Sequence, residues 1–125
     1  MDKPLFQRGE FTLASGQHST WKVECDALTA EDWEALAAIA MERFPDLHFR
    51  NVVGVPRGGI PFAEALRPYE TTGPALVVDD VFTTGGSLAA VQAEYPGSLA
   101  LVAFARNPVP DSVMALWTLR AVTKR

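Results

Sequence analysis

One stretch constrains the fold of this chain more than any other: Ala75-Leu-Val-Val-Asp-Asp-Val-Phe-Thr-Thr-Gly-Gly-Ser87. Residues 75–78 form an unbroken apolar run rich in β-branched side chains, a pattern that suits a strand covered on both faces. Asp79 and Asp80 place two carboxylates at the C-terminal end of that run. Residues 83–87 are rich in hydroxyls and glycine, and residues 88–95 follow with a helical pattern. A strand, a tight turn and a helix N-terminus direct unpaired backbone N–H groups and the positive end of the helix dipole at one spot, which favours an anion. Two carboxylates beside such a spot suit sugar hydroxyls or a hard cation such as Mg2+.

A strand buried on both faces needs helices to cover it, and the rest of the chain supplies them. Thr29 is a good N-cap with Asp32 at the third helical position, and Glu31 complements the dipole. Trp33, Leu36, Ala37, Ala40, Met41 and Phe44 recur at helical spacing, and Pro45 stops the helix. That stripe reads as plain core packing. Residues 52–55 are a second buried strand, broken by Pro56-Arg-Gly-Gly59, and residues 60–67 form a short helix ended by Pro68. Pro96-Gly97 turns the chain into a third apolar run at 98–104, with Arg106 just beyond its end. Residues 107–111 are a loop by their prolines. Residues 113–119 fit either helix or strand, and the unbroken apolar run favours strand.

At the N-terminus a β-prone piece at 11–13 precedes a polar turn. Trp21-Lys-Val-Glu-Cys25 then alternates apolar and charged residues, so the two pieces suit a small hairpin-like flap. The alternating β/α order predicts an α/β fold: a mainly parallel central sheet flanked by helices, with a small N-terminal β flap, in one domain over residues 1–125. Ligands of such sheets bind at the carboxyl ends of the strands. The turn at 57–59, the Asp79-Asp80 pair with the turn after it, and Arg106 all fall there.

The whole-chain numbers narrow the partners. A net charge of −4 gives no global field toward nucleic acid or an anionic membrane, so neither is an expected partner. An anion must be held locally. Cys25 is the only cysteine, which excludes an intrachain disulfide and fits a reducing cytoplasm. The first residues lack a signal-peptide pattern, and no apolar run approaches membrane-spanning length. His18 and His48 stand apart and form no zinc constellation. There is no G-x-x-x-x-G-K-[ST], and Gly54-Val-Pro-Arg-Gly-Gly59 lacks the G-x-G-x-x-G spacing, so the usual nucleotide-triphosphatase and dinucleotide readings lose their support.

Val77-Val-Asp-Asp-Val-Phe-Thr-Thr-Gly-Gly-Ser87 resembles the phosphoribosyl-pyrophosphate (PRPP) signature of type I phosphoribosyltransferases. Val53-Gly-Val-Pro-Arg-Gly-Gly-Ile-Pro61 resembles the pyrophosphate loop of the same family. Gly9-Glu-Phe-Thr-Leu-Ala-Ser-Gly-Gln-His-Ser-Thr-Trp21 is similar to the segment that lies over the base in orotate phosphoribosyltransferases. The resemblance runs from about residue 9 to residue 106. It implies transfer of a 5-phosphoribosyl group from PRPP to a small nucleobase, an orotate-like pyrimidine, with release of pyrophosphate.

The resemblance also implies roles for individual residues. Asp79 and Asp80 would hold the ribose hydroxyls as the catalytic pair and bind Mg2+ directly or indirectly. Val81, Thr83, Thr84, Gly85, Gly86 and Ser87 would bind PRPP around its 5-phosphate. Pro56, Arg57, Gly58 and Gly59 would bind the pyrophosphate, in a loop with one cis peptide. Ser15, Gly16, Trp21 and Arg106 would lie at the base. A homodimer and a cytoplasmic location are expected with them.

The chain departs from the family in two places. Ala14 stands where the orotate enzymes carry a lysine, and Lys22 falls where an aromatic is usual. Residues 67–74 are the whole connection before the central strand, where the family has a longer segment with a basic mobile loop that closes over the site. The alternative implied by the shortening is a non-catalytic PRPP- or nucleotide-binding module that acts as a sensor or subunit.

Overall fold

The computed structural model describes residues 4–13, 16 and 18–119. Strands β1 (Phe6–Thr12) and β2 (His18–Val23) pair antiparallel, with an irregularity in register between Arg8 and Phe11. This is the N-terminal flap, and β1 begins earlier than the β-prone piece at 11–13 suggests. Helix α1 (Ala30–Arg43), strand β3 (Val52–Gly54), helix α2 (Ile60–Leu66), strand β4 (Leu76–Phe82), helix α3 (Gly86–Ala93), and strands β5 (Leu99–Ala105) and β6 (Val113–Thr118) follow. The second sheet has the order β3-β4-β5-β6, and every neighbouring pair in it is parallel. Residues 113–118 are the strand that their unbroken apolar character favours.

Helix α1 starts as its sequence dictates. The Asp32 N–H donates to Thr29 Oγ1 at 3.1 Å and the Thr29 N–H to Asp32 Oδ2 at 2.9 Å, a full capping box. Trp33, Leu36, Ala37 and Ala40 are buried, and the Trp33 ring packs 5.3 Å from that of Phe62 on α2. The period of two along the strands then sorts the core into two faces. Leu76, Val78 and Leu101 pack with α1 and α2, while Val77, Ala100 and Val102 pack with Leu88 and Val91 of α3. Arg43 at the end of α1 donates from Nη1 to the Leu116 carbonyl at 2.6 Å, which ties the helix to edge strand β6. Among the described residues no helix is long and apolar enough to cross a membrane.

The short connection between α2 and β4 lies at the N-terminal ends of the strands. The Thr71 N–H donates to the Phe49 carbonyl at 2.8 Å, and the Arg50 N–H to the Pro74 carbonyl at 3.0 Å. The Glu70 carboxylate accepts the Val52 N–H at 2.8 Å. These bonds hold residues 70–74 at the end of the sheet opposite to the one where the strand-end residues gather.

Candidate active site

β4 carries its acids inside the strand. Its pairing with β5 continues past them, with Val81 opposite Phe104 and Phe82 opposite Ala105, so the strand ends at Phe82 rather than at Asp79. Apolar partners on β5 keep the ladder going beyond the point where the apolar run in β4 stops. The two carboxylates are fixed by backbone donors. The Asp80 N–H donates to Asp79 Oδ1 at 2.8 Å, and the Val81 N–H to Asp80 Oδ1 at 2.7 Å. Both side chains are half-buried and line one cleft of about 830 Å³.

The loop after β3 presses against this pair. The Val55 N–H donates to the Val78 carbonyl at 2.8 Å, extending the β3–β4 contact by one residue. The peptide bond between Pro56 and Arg57 is cis. Gly58 sits directly on Asp80: a Cβ there would lie 2.6 Å from Asp80 Cγ and 2.8 Å from Oδ1. A Cβ on Gly59 would lie 2.8 Å from the Val55 nitrogen, so the loop folds back on its own strand only without side chains. The Gly59 N–H is already given to the Val55 carbonyl at 2.9 Å. Pro56 and Gly58 line the cleft; Arg57 is exposed at its margin and Gly59 is buried behind it.

Beyond β4 the turn delivers its backbone to the same cleft. Thr83, Thr84, Gly85, Gly86 and Ser87 all line it, as does Val81. Gly85 has φ +85°, and a Cβ there would sit 2.6 Å from Cε2 of Phe82, so both conformation and space require glycine. Gly85 is the N-cap of α3, and no side chain bonds across that cap. The helix's first N–H groups therefore face the turn. Asn107 holds the turn from outside, its Nδ2 donating to the Thr83 carbonyl at 2.6 Å.

The flap also lines the cleft. Phe11 of β1, Lys22 of β2 and Glu24 just after that strand line the cleft. Lys22 Nζ lies 3.0 Å from Glu24 Oε2 and 4.9 Å from the centroid of the Phe11 ring. Trp21, one residue before Lys22, packs on Arg106 and is not itself among the residues lining the cleft. It carries the Arg106 guanidinium 3.4 Å from its ring centroid, while Arg106 Nη1 donates to the Trp21 carbonyl at 2.9 Å and Nη2 to Ser19 Oγ at 2.7 Å. Arg106 thus lines the cleft and straps the flap to the end of β5. Gly16 is exposed in the turn of the flap, and Ser15 lies outside the described residues.

Lys22, Glu24, Phe11 and Asn107 are cleft or loop-holding residues that sequence reasoning missed. The alternation at 21–25 places Lys22 and Glu24 on one face but does not say what that face meets. Asn107 looks like any other polar loop residue.

The electrostatics are those of crowded acids. Burial first, then a hydrogen bond to the Asp80 side chain and its charge, pushes the Asp79 carboxyl up to about 8. The buried Cys25 thiol is raised far above its ordinary value, mainly by burial and then by the charges of Asp80, Glu24, Asp26 and Asp79. Arg106 is lowered by desolvation. Among the described residues no group of three or more His, Cys, Asp or Glu could hold a metal by itself. Asp79 and Asp80 offer hard oxygen donors, a set that fits Mg2+ where ligand oxygens and water complete the shell.

No protein-family model matches the chain, and no curated protein matches it. Solved structures do. The orotate phosphoribosyltransferase of Aeropyrum pernix superposes with a TM-score of 0.71 at 24% identity, over 93% of this chain and 87% of that one. That of Mycobacterium tuberculosis in complex with PRPP gives 0.62 at 20% identity, over 87% of this chain and 86% of that one. The xanthine-guanine-hypoxanthine phosphoribosyltransferase of Helicobacter pylori gives 0.52 at 15%, over 74% of this chain and 88% of that one. The parallel sheet, its flanking helices and the antiparallel flap together are the fold of the type I phosphoribosyltransferases.

Proposed function

We propose that this protein transfers a 5-phosphoribosyl group from PRPP to a small nucleobase and releases pyrophosphate. The observation that carries the proposal is the meeting of three elements in one cleft: Asp79 and Asp80, the glycine turn at residues 83–87, and the loop at 56–59. The chain's similarity in fold to structures of phosphoribosyltransferases, one of them in complex with PRPP, supports the same reading. An orotate-like pyrimidine is the acceptor that the sequence resemblance implies.

Each wall has a task in that reaction. The turn at 83–87 and the N-terminus of α3 bind the 5-phosphate with backbone N–H and hydroxyl donors. Asp79 and Asp80 bind the ribose hydroxyls, and the negative charge that the pair carries offsets the positive charge that develops on the sugar. Because the Gly59 N–H is engaged by Val55, pyrophosphate falls to Gly58 and Arg57. Asp79 and Asp80 would also hold Mg2+, which supplies charge neutralisation at the pyrophosphate when bound. The flap covers the base side and excludes water from it. We take residues 1–125 as one domain, working as a cytoplasmic homodimer; light scattering at micromolar concentration tests the dimer.

The second reading is a PRPP- or nucleotide-binding module without efficient transfer. It is favoured by the connection at 67–74, which is short and tied down at the far end of the sheet. The two readings separate in one experiment: protein, PRPP, Mg2+ and a panel of bases, followed for pyrophosphate and nucleotide. Product with any base supports transfer. PRPP binding with no product from any base removes it and leaves the module.

A further inference from the structure

The cleft is short of positive charge for a ligand with a phosphate at one end and a pyrophosphate at the other. Among the described residues that line it, Glu10, Glu24, Asp79 and Asp80 bring carboxylates, and only Lys22 and Arg106 bring cations. The glycine turn and the N-terminus of α3 answer the 5-phosphate. The loop at 56–59 offers less to the pyrophosphate. Its Gly59 N–H is given to the Val55 carbonyl, and Arg57 is exposed at the margin rather than in the lining.

The two cations of the lining are held differently. Arg106 donates from Nη1 to the Trp21 carbonyl and from Nη2 to Ser19 Oγ, with its guanidinium 3.4 Å from the Trp21 ring centroid. It can meet an anion only from that fixed place. Lys22 ends a flexible stem that can swing its ammonium to a new partner. That ammonium lies 3.0 Å from Glu24 Oε2 and 4.9 Å from the centroid of the Phe11 ring, and the Lys22 side chain is 31% exposed. Water that reaches such a pair weakens it. Glu24 does not depend on Lys22 alone, because its other oxygen, Oε1, accepts the Asp26 N–H at 3.3 Å. The carboxylate keeps that donor when the ammonium turns away. A pyrophosphate carries more negative charge than one carboxylate and draws the ammonium more strongly.

We propose that Lys22 is the mobile cation of the cleft: it turns from Glu24 to the pyrophosphate of PRPP when that ligand binds. The proposal deepens the phosphoribosyl-transfer reading and rests on it. In the transfer, the electron pair of the bond between pyrophosphate and C1 of the ribose stays with the pyrophosphate while the base bonds to C1. The Lys22 ammonium meets the charge that gathers on the departing oxygen. Glu24 holds the ammonium in the wall until the ligand arrives.

Calorimetry with inorganic pyrophosphate, PRPP and ribose 5-phosphate, all at one fixed Mg2+ concentration, tests it. Lys22→Met should weaken pyrophosphate and PRPP about tenfold or more, the scale of a lost hydrogen bond between charged groups, and leave ribose 5-phosphate within about twofold. Glu24→Gln should act in the opposite direction. Its amide oxygen still accepts the Asp26 N–H, but the rival charge is gone, so pyrophosphate should bind about threefold or more tightly. The ribose 5-phosphate arm shows in the same run that the variants are folded. Parent affinity for pyrophosphate in Lys22→Met overturns the proposal, as does an equal loss of pyrophosphate and ribose 5-phosphate. Weaker pyrophosphate binding in Glu24→Gln also overturns it, since Lys22 would then act only while paired. In each of these cases the parent still binds PRPP, and the transfer reading stands without Lys22. A parent that binds neither PRPP nor pyrophosphate removes the proposed function and this assignment with it.

Discussion

The carboxylate of Asp80 rests on the Cα of Gly58, so close that a methyl group there would lie 2.6 Å from Asp80 Cγ. Two segments 22 positions apart in the chain, the loop after β3 and the middle of β4, are thereby locked in one geometry. Gly58→Ala must push Asp80 off its bond with the Val81 N–H or move the loop. Overpacking of this kind costs about 1–3 kcal/mol, and the displacement should weaken the contact proposed between Asp80 and the ribose. Thermal unfolding and ribose 5-phosphate binding should both fall. An unchanged affinity would show that Asp80 does not contact the ligand.

Asn107 supports the turn without lining the cleft. Its 2.6 Å bond to the Thr83 carbonyl is the tie that holds the start of the turn to the loop after β5. Asn107→Ala should cost about 1 kcal/mol of stability. It should weaken ribose 5-phosphate binding several-fold, because the donors around Thr83 would then have to be ordered by the ligand. A variant that melts earlier but binds equally well would assign Asn107 to the fold alone.

Arg106 makes a comparable tie for the flap. A two-stranded hairpin is marginal by itself in water. Arg106 gives it two hydrogen bonds and a stacked guanidinium at the end of β5. Arg106→Ala should leave β4 and β5 protected in hydrogen exchange while the amides of β1 and β2 exchange about tenfold faster or more. Uniform change across all strands would refute a local strap.

These ties mark the boundary of what the sequence reveals. The capping box of α1 was legible because Thr29 and Asp32 interact within one turn. The central strand, the glycine turn and the parallel order were legible because apolar runs and turn residues are local signals. The same locality hid the rest. The end of β4 at Phe82 depends on Phe104 and Ala105, which are far along the chain. Arg106 was visible as a strand-end cation, but its stacking on Trp21, 85 positions away, was not. Lys22 and Glu24 alternate as any half-buried strand does, and only the packing of the flap turns that face to the cleft.

Asp79 gives the site a cost that should appear in the pH dependence of stability. Its carboxyl is raised in the folded protein by burial and by Asp80, so the fold binds its proton more tightly than the unfolded chain does. A raised folded value contributes stability that is fully present below the unfolded value near 3.9 and is lost as pH rises toward about 8. The unliganded protein should therefore melt at progressively lower temperature as the buffer is moved from about pH 5 to pH 8. In Asp79→Asn the Asp80 N–H keeps an acceptor in the amide oxygen, and no charge has to be buried. This variant should lose most of the slope and should melt above the parent at pH 8, while binding ribose 5-phosphate less well because a hydroxyl acceptor has been weakened. Parallel melting curves for the two proteins across that range would mean that Asp79 is ionised at no cost in the fold, and the crowding of the acid pair would then have to be relieved by water reaching the cleft.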